Sequence, residues 1–152
     1  MKFSTSVEYA IHGLMYLSKA PVGAPVGGTV LIADIARATK IPEAYLRKIF
    51  HQLSRGGIVT SQRGARGGFS LAKPPEHITL KDVVEAIDGS LPVYSCLRLQ
   101  RKCTLDGNCP VKEVFGEARR KMGEVLDAKS IKDVVKEIAK HQRKAVWLRA
   151  TA

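Results

Sequence analysis

The sequence has no run of 18 or more apolar residues, which removes a membrane-spanning helix. Residues 1–20 lack the basic-then-apolar layout of a secretory leader, because Glu8, His12 and Ser18 interrupt the stretch. A cytoplasmic protein with no membrane partner is therefore expected. Cysteine is absent everywhere except at Cys96, Cys103 and Cys109. Three thiols cannot close into disulfides without one left over, and clustered thiols in a reducing compartment more often bind metal or do redox chemistry. No nucleophile–base pair, phosphate-cradling loop or paired catalytic carboxylates stand out, which argues against an enzyme. Acid is scarce too: 14 Asp and Glu face 25 Lys and Arg, for a net charge of +11.

That charge is concentrated. Residues 1–75 hold ten basic side chains against Glu8, Asp34 and Glu43, whereas the rest of the chain holds fifteen against eleven. A positive field gathered in one small unit suits a polyanion. The 152 residues are enough for one compact domain, or a small domain with an appended dimerisation element.

Hydrophobic periodicity organises the chain. A first helix is predicted over Thr5–Lys19, opened by a Thr5/Glu8 capping box, with Val7, Ala10, Ile11, Leu14, Met15 and Leu17 as its apolar stripe. A Gly/Pro loop follows. A short second helix over Leu31–Ala38 turns Leu31, Ile35 and Ala38 inward. The third, from Pro42 to Arg55, buries Leu46, Ile49, Phe50 and Leu53 and presents Ala44, Arg47, Lys48, His51 and Arg55 on its other face. Residues 58–62 and 69–72 read as paired strands, with Arg63-Gly64-Ala65-Arg66-Gly67-Gly68 as a hairpin tip. Two short helices, a tight turn and a basic-tipped hairpin make a winged helix-turn-helix. The expected fold is mainly α with a small β-wing, joined to a long dimerisation helix.

Thr79 caps a helix that ends at Asp88-Gly89, and residues 89–109 form a long loop holding all three cysteines. A long helix starts at Asn108 or Cys109 and reaches Ala128, with Val111, Phe115, Ala118, Met122 and Val125 spaced as a two-heptad seam. Ser130 and Asp133 open a final basic helix. The organisation expected is a DNA-binding unit over 1–75, a linking helix and cysteine loop over 76–109, and dimerisation and basic C-terminal helices over 110–152.

A recognition helix needs one face fixed to a core and another that reaches base edges. Arg47, Lys48 and His51 meet that need, flanked by Tyr45 and Gln52, and Arg47 is the first choice for reading guanine. Arg63 and Arg66 among glycines suit the narrow minor groove. The seam implies a homodimer, and two-fold symmetry then dictates a palindromic DNA operator. The spacing Cys96-x6-Cys103-x5-Cys109 is not that of a paired-cysteine zinc site. It suits an iron–sulfur cluster, which needs four ligands where the chain supplies three thiolates.

The motifs at Met1–Ser4, Leu31–Ala36, Tyr45–Leu53 and Gly57–Leu71, with the late cysteine triplet, resemble the Rrf-type winged-helix transcription regulators, the group that includes IscR- and NsrR-like proteins. The resemblance covers roughly residues 1–128. It implies a homodimer with crossed long helices and, in cysteine-bearing members, a cluster sensitive to redox state or nitric oxide. Some members complete the cluster with a histidine three residues after the last cysteine, where this chain has Lys112, whose ammonium cannot ligate. Others take an acidic ligand from the partner's first helix, and Glu8 sits at such a position with His12 one turn on. Two ligand sets stay open: the three cysteines with Glu8 or His12, or Cys109 with Cys96 or Cys103 and both Glu8 and His12 across the dimer. Mixed ligands favour 2Fe–2S over 4Fe–4S. A change at the cluster is expected to shift the first helix and reorient the third. The alternatives are a cluster-free repressor answering to thiol oxidation, an effector or a partner protein, and a metal-dependent enzyme or cluster carrier.

Overall fold

The computed structural model describes residues 3–19, 29–62, 64, 67–91 and 109–140. In chain order these form α1 (Thr5–Leu17), α2 (Ile32–Thr39), α3 (Glu43–Arg55), β1 (Val59–Gln62), β2 (Gly68–Leu71), a 3-10 turn (Pro75–His77), α4 (Leu80–Asp88), α5 (Pro110–Asp127) and α6 (Ile131–Lys140). The chain is mainly helical with one small antiparallel wing, as its periodicity predicts.

α1 is the hub. Helices α2, α3, α4 and α6 all pack on it, around a core whose fully buried side chains include Leu14, Ile35, Leu46, Phe50, Leu53, Ile78 and Ile131. The buried face of α3 is the predicted Leu46, Ile49, Phe50 and Leu53. In α2 the phase differs by one position. Leu31 is the N-cap and lies exposed, while Ile32 and Ile35 turn inward and Ala38 is half-buried. Pro42 likewise precedes α3 as its N-cap instead of occupying the first helical position.

The start of α1 is also corrected. Ser4, not Thr5, is the N-cap, and no local side chain caps the helix. Asp88 at the end of α4 does so instead: the Ser4 N–H donates to its carboxylate at 2.9 Å and the Ser4 hydroxyl at 2.5 Å. A carboxylate at a helix N-terminus satisfies an orphan donor and complements the helix dipole. Glu8 is thereby freed of the capping-box role and stands exposed on the outer face.

The predicted cap of α4 is present. Thr79 accepts from the Asp82 N–H at 3.1 Å and Asp82 returns the bond. A second, similar box opens α6, where the Ser130 N–H and hydroxyl both donate to Asp133. Those bonds hold the Asp133 carboxyl below its ordinary range, the hydroxyl contributing most. The stabilisation is thus present above the usual carboxylate pKa and lost as pH falls. The two boxes sit back to back, because Leu80 N–H donates to Lys129 and Ile131 N–H to Ile78. α6 therefore returns to seal the common core, with Ile131 buried in it.

One close approach sets how α1 meets α3. A Cβ added at Gly13 would lie 2.6 Å from Phe50 Cε2, and Phe50 is completely buried. Helix propensity alone favours alanine over glycine by about 1 kcal/mol. Overpacking a buried ring costs about 1–3 kcal/mol and wins. Gly13→Ala is therefore expected to lower stability in a denaturant titration; a stabilised variant would show that α1 and α3 separate freely.

Candidate nucleic-acid interface

The helix-turn-helix is α2, a turn at Lys40-Ile41-Pro42, and α3. Ile41 is buried and anchors the turn, while Tyr45, Arg47, Lys48, His51 and Arg55 are all exposed along α3. The predicted contact face is thus presented to solvent as one surface. Arg47, the first choice for base readout, is paired with the Glu43 carboxylate one turn earlier. Arg47 is largely exposed and Glu43 half-buried, and such a surface pair is held by no more than about 1 kcal/mol, so the guanidinium is readily released to another anion. The four-residue spacing of Glu43 and Arg47 is the signal that could have revealed the pair. Arg37 is similarly paired with Asp34 at 3.1 Å. Lys40, Lys48 and Arg55 have no carboxylate partner among the described residues.

The wing runs Val59↔Leu71 to Gln62↔Gly68 in register. Arg63 and Arg66 lie outside the described residues. The wing has two anchors that the sequence does not announce. Val30 bridges to Phe69 through two backbone hydrogen bonds of 2.9 Å, tying the entry to α2 onto β2. Gly68 makes the approach possible, since a Cβ there would lie 2.6 Å from the Val30 carbonyl oxygen. Phe69 also meets α3 directly, with its ring centroid 5.0 Å from Phe50 and 6.3 Å from His51, both edge to face. The wing is therefore packed directly against α3 and the entry to α2.

The candidate ligands divide. Glu8 and His12 share one face of α1 and line a shallow concavity of about 430 Å³ with Phe3, Ser4, Thr5, Val7 and Ile11. Cys109 is the half-buried N-cap of α5 and does not line that concavity. Cys96 and Cys103 lie outside the described residues. Among the described residues of one protomer, no three His, Cys, Asp or Glu side chains converge on a metal position.

α5 shows which of its faces is occupied. It packs on α4 through the side bearing Gly123, which is buried with Leu91 against it. At 100° per residue the apolar stripe lies roughly 120° around the helix from that side. Val111, Val114, Phe115 and Val125 are all exposed, Val114 by 65% and Val125 by 68%. Met122 departs from the predicted seam by packing against the protomer's own core.

Residues 3–137 match the model of the Rrf2 family, described as iron-dependent transcriptional regulators. The chain is 35% identical over 143 residues to a protein of Aquifex aeolicus described as an HTH-type transcriptional regulator, covering 93% of this chain and 96% of the relative. It is 31% identical over 136 residues to the HTH-type transcriptional regulator NsrR of Shouchella clausii, covering 89% of each. Among solved structures it resembles T. potens IscR with a TM-score of 0.70 and 27% identity, covering 93% of this chain and 91% of that one.

Proposed function

The chain belongs to the Rrf2 family and is a DNA-binding transcriptional regulator; from that premise we propose that it works as a homodimer sensing redox state, nitric oxide or iron–sulfur status through a bound cluster, 2Fe–2S in preference to 4Fe–4S. Its operator is a palindrome with half-sites about one helical turn, or a small multiple, apart. Tyr45, Arg47, Lys48 and His51 enter the major groove, and Arg63 and Arg66 of the wing reach the minor groove.

The observation that carries the sensing half is the placement of Glu8 and His12. Two side chains able to ligate share one concavity on α1. Their donor chemistry, carboxylate oxygen and imidazole nitrogen, fits an iron site completed by thiolates. In this reading the set is completed across the dimer, either by all three cysteines with Glu8 or His12, or by Cys109 with Cys96 or Cys103 and both Glu8 and His12. A bound cluster would supply a centre that exchanges electrons and reacts with nitric oxide. The remaining steps belong to this chain. The face of α1 opposite the ligands presses Gly13 against Phe50 of α3, and Phe50 in turn contacts Phe69 of the wing. A displacement of α1 therefore reaches both DNA-contacting elements through two packed contacts. Only a difference in ligand affinity between the two arrangements can drive it.

Protein made without oxygen is expected to absorb in the visible and to contain iron and acid-labile sulfide in stoichiometric amounts. Its operator affinity is expected to differ between the loaded and stripped forms. Colourless, iron-free protein that still binds its operator would overturn the sensing half and leave a winged-helix repressor answering to thiol oxidation, an effector or a partner protein. Absence of specific duplex binding would overturn the whole proposal in favour of a metal-dependent enzyme or carrier.

A further inference from the structure

The turn that leads into α3 holds a residue that local sterics disfavour. Lys40 has φ 62° and ψ 23°, and it is the only non-glycine with positive φ among the described residues. In that conformation Cβ crowds the following carbonyl oxygen, so glycine is the usual occupant of a helix C-cap of this kind, with asparagine next. Lysine offers neither the missing Cβ of the first nor the short local hydrogen bonds of the second. Something other than the turn must favour it.

Its surroundings indicate what. Lys40 is exposed, two residues before the Pro42 cap of α3, at the end of the recognition helix that meets base edges in this motif. Its neighbours Arg37 and Arg47 are each paired with an acid, whereas Lys40 has no such partner among the described residues. A cation at the mouth of a groove, outside the base-reading face, stands against the sugar–phosphate wall. We infer that Lys40 is a DNA-phosphate contact, kept in a strained turn because its ammonium grips the backbone as α3 enters the groove. The inference rests on α3 being the recognition helix and adds a contact that positions it without reading sequence.

Stability and binding should then move in opposite directions. Lys40→Gly relieves the backbone conflict, and its melting temperature is expected to rise by about 2–4 °C. The same variant is expected to bind operator about tenfold more weakly at fixed salt, with equal loss on unrelated duplexes. With one contact per protomer, the slope of log affinity against log salt becomes shallower by about two units for a dimer. Lys40→Arg, which keeps the charge, is expected to retain both affinity and slope. Full affinity and an unchanged slope in Lys40→Gly, beside weakened Arg47→Ala and Lys48→Ala variants, would overturn the contact while leaving the recognition helix in place. Unchanged binding in all three variants would overturn the docking of α3 itself, and the Lys40 contact with it.

Discussion

Replacing Val114 and Val125 together by glutamate is expected to give a folded monomer whose operator affinity has fallen about a hundredfold or more. Both side chains are about two-thirds exposed in the protomer. Exposed substitutions away from special features change folding stability by no more than about 0.5 kcal/mol, so the protomer should melt normally. The cost falls on association. Four carboxylates enter a two-fold apolar seam, where like charges face one another without water to screen them. A dimer spanning two half-sites makes its second binding event intramolecular, and that gain vanishes when the subunits part. Sedimentation measures the mass, circular dichroism the fold, and fluorescence anisotropy the binding. A variant that remains dimeric would place the subunit contact on another surface and leave the exposed stripe of α5 unexplained.

The same helix shows what sequence does and does not reveal. The spacing of Val111, Phe115, Ala118 and Val125 is legible as a stripe because a helix repeats every 3.6 residues. What covers the stripe is not legible, since an apolar face reads alike whether it meets its own core or a second copy. The fold shows that α5 packs on α4 through another side, the one bearing buried Gly123. The buried face of α3 is readable, though not its first residue, because thirteen residues give nearly four turns to fix the phase. α2 has eight, and Leu31 and Ile32 compete for the inward position until tertiary packing chooses. The cap of α1 was beyond local reading for a different reason: Ser4 and Asp88 are 84 residues apart, and a capping box at Thr5 and Glu8 looked self-sufficient. Lys40 gave no turn signal because lysine is not a residue that turns select. At the candidate site, donor types and the one-turn spacing of Glu8 and His12 were legible. That they line a common hollow, one that Cys109 of the same protomer does not line, needed the fold.

A complementation experiment is decisive for the ligand set. Cys109→Ala alone is expected to reduce bound iron and sulfide to background, because a neutral methyl cannot replace a thiolate. The double variant Glu8→Ala, His12→Ala is expected to do the same, with each single change altering the visible spectrum while the dimer stays intact. None of the three positions contributes to the buried core, so folding should be preserved in all of these variants. The two defective chains can then be joined in one heterodimer. If ligands come from both subunits, one of the two sites combines the intact cysteines of one chain with the intact α1 of the other. The heterodimer should recover about half the iron of the parent dimer, by the two-fold symmetry of the assembly. If all ligands of a site come from one subunit, each site lacks part of its set and no iron returns. Recovery to half therefore supports a site shared across the seam, where moving one subunit's cysteines pulls on the other's α1. Background iron in the heterodimer would reject that coupling, because no ligand would then cross from one protomer to the next.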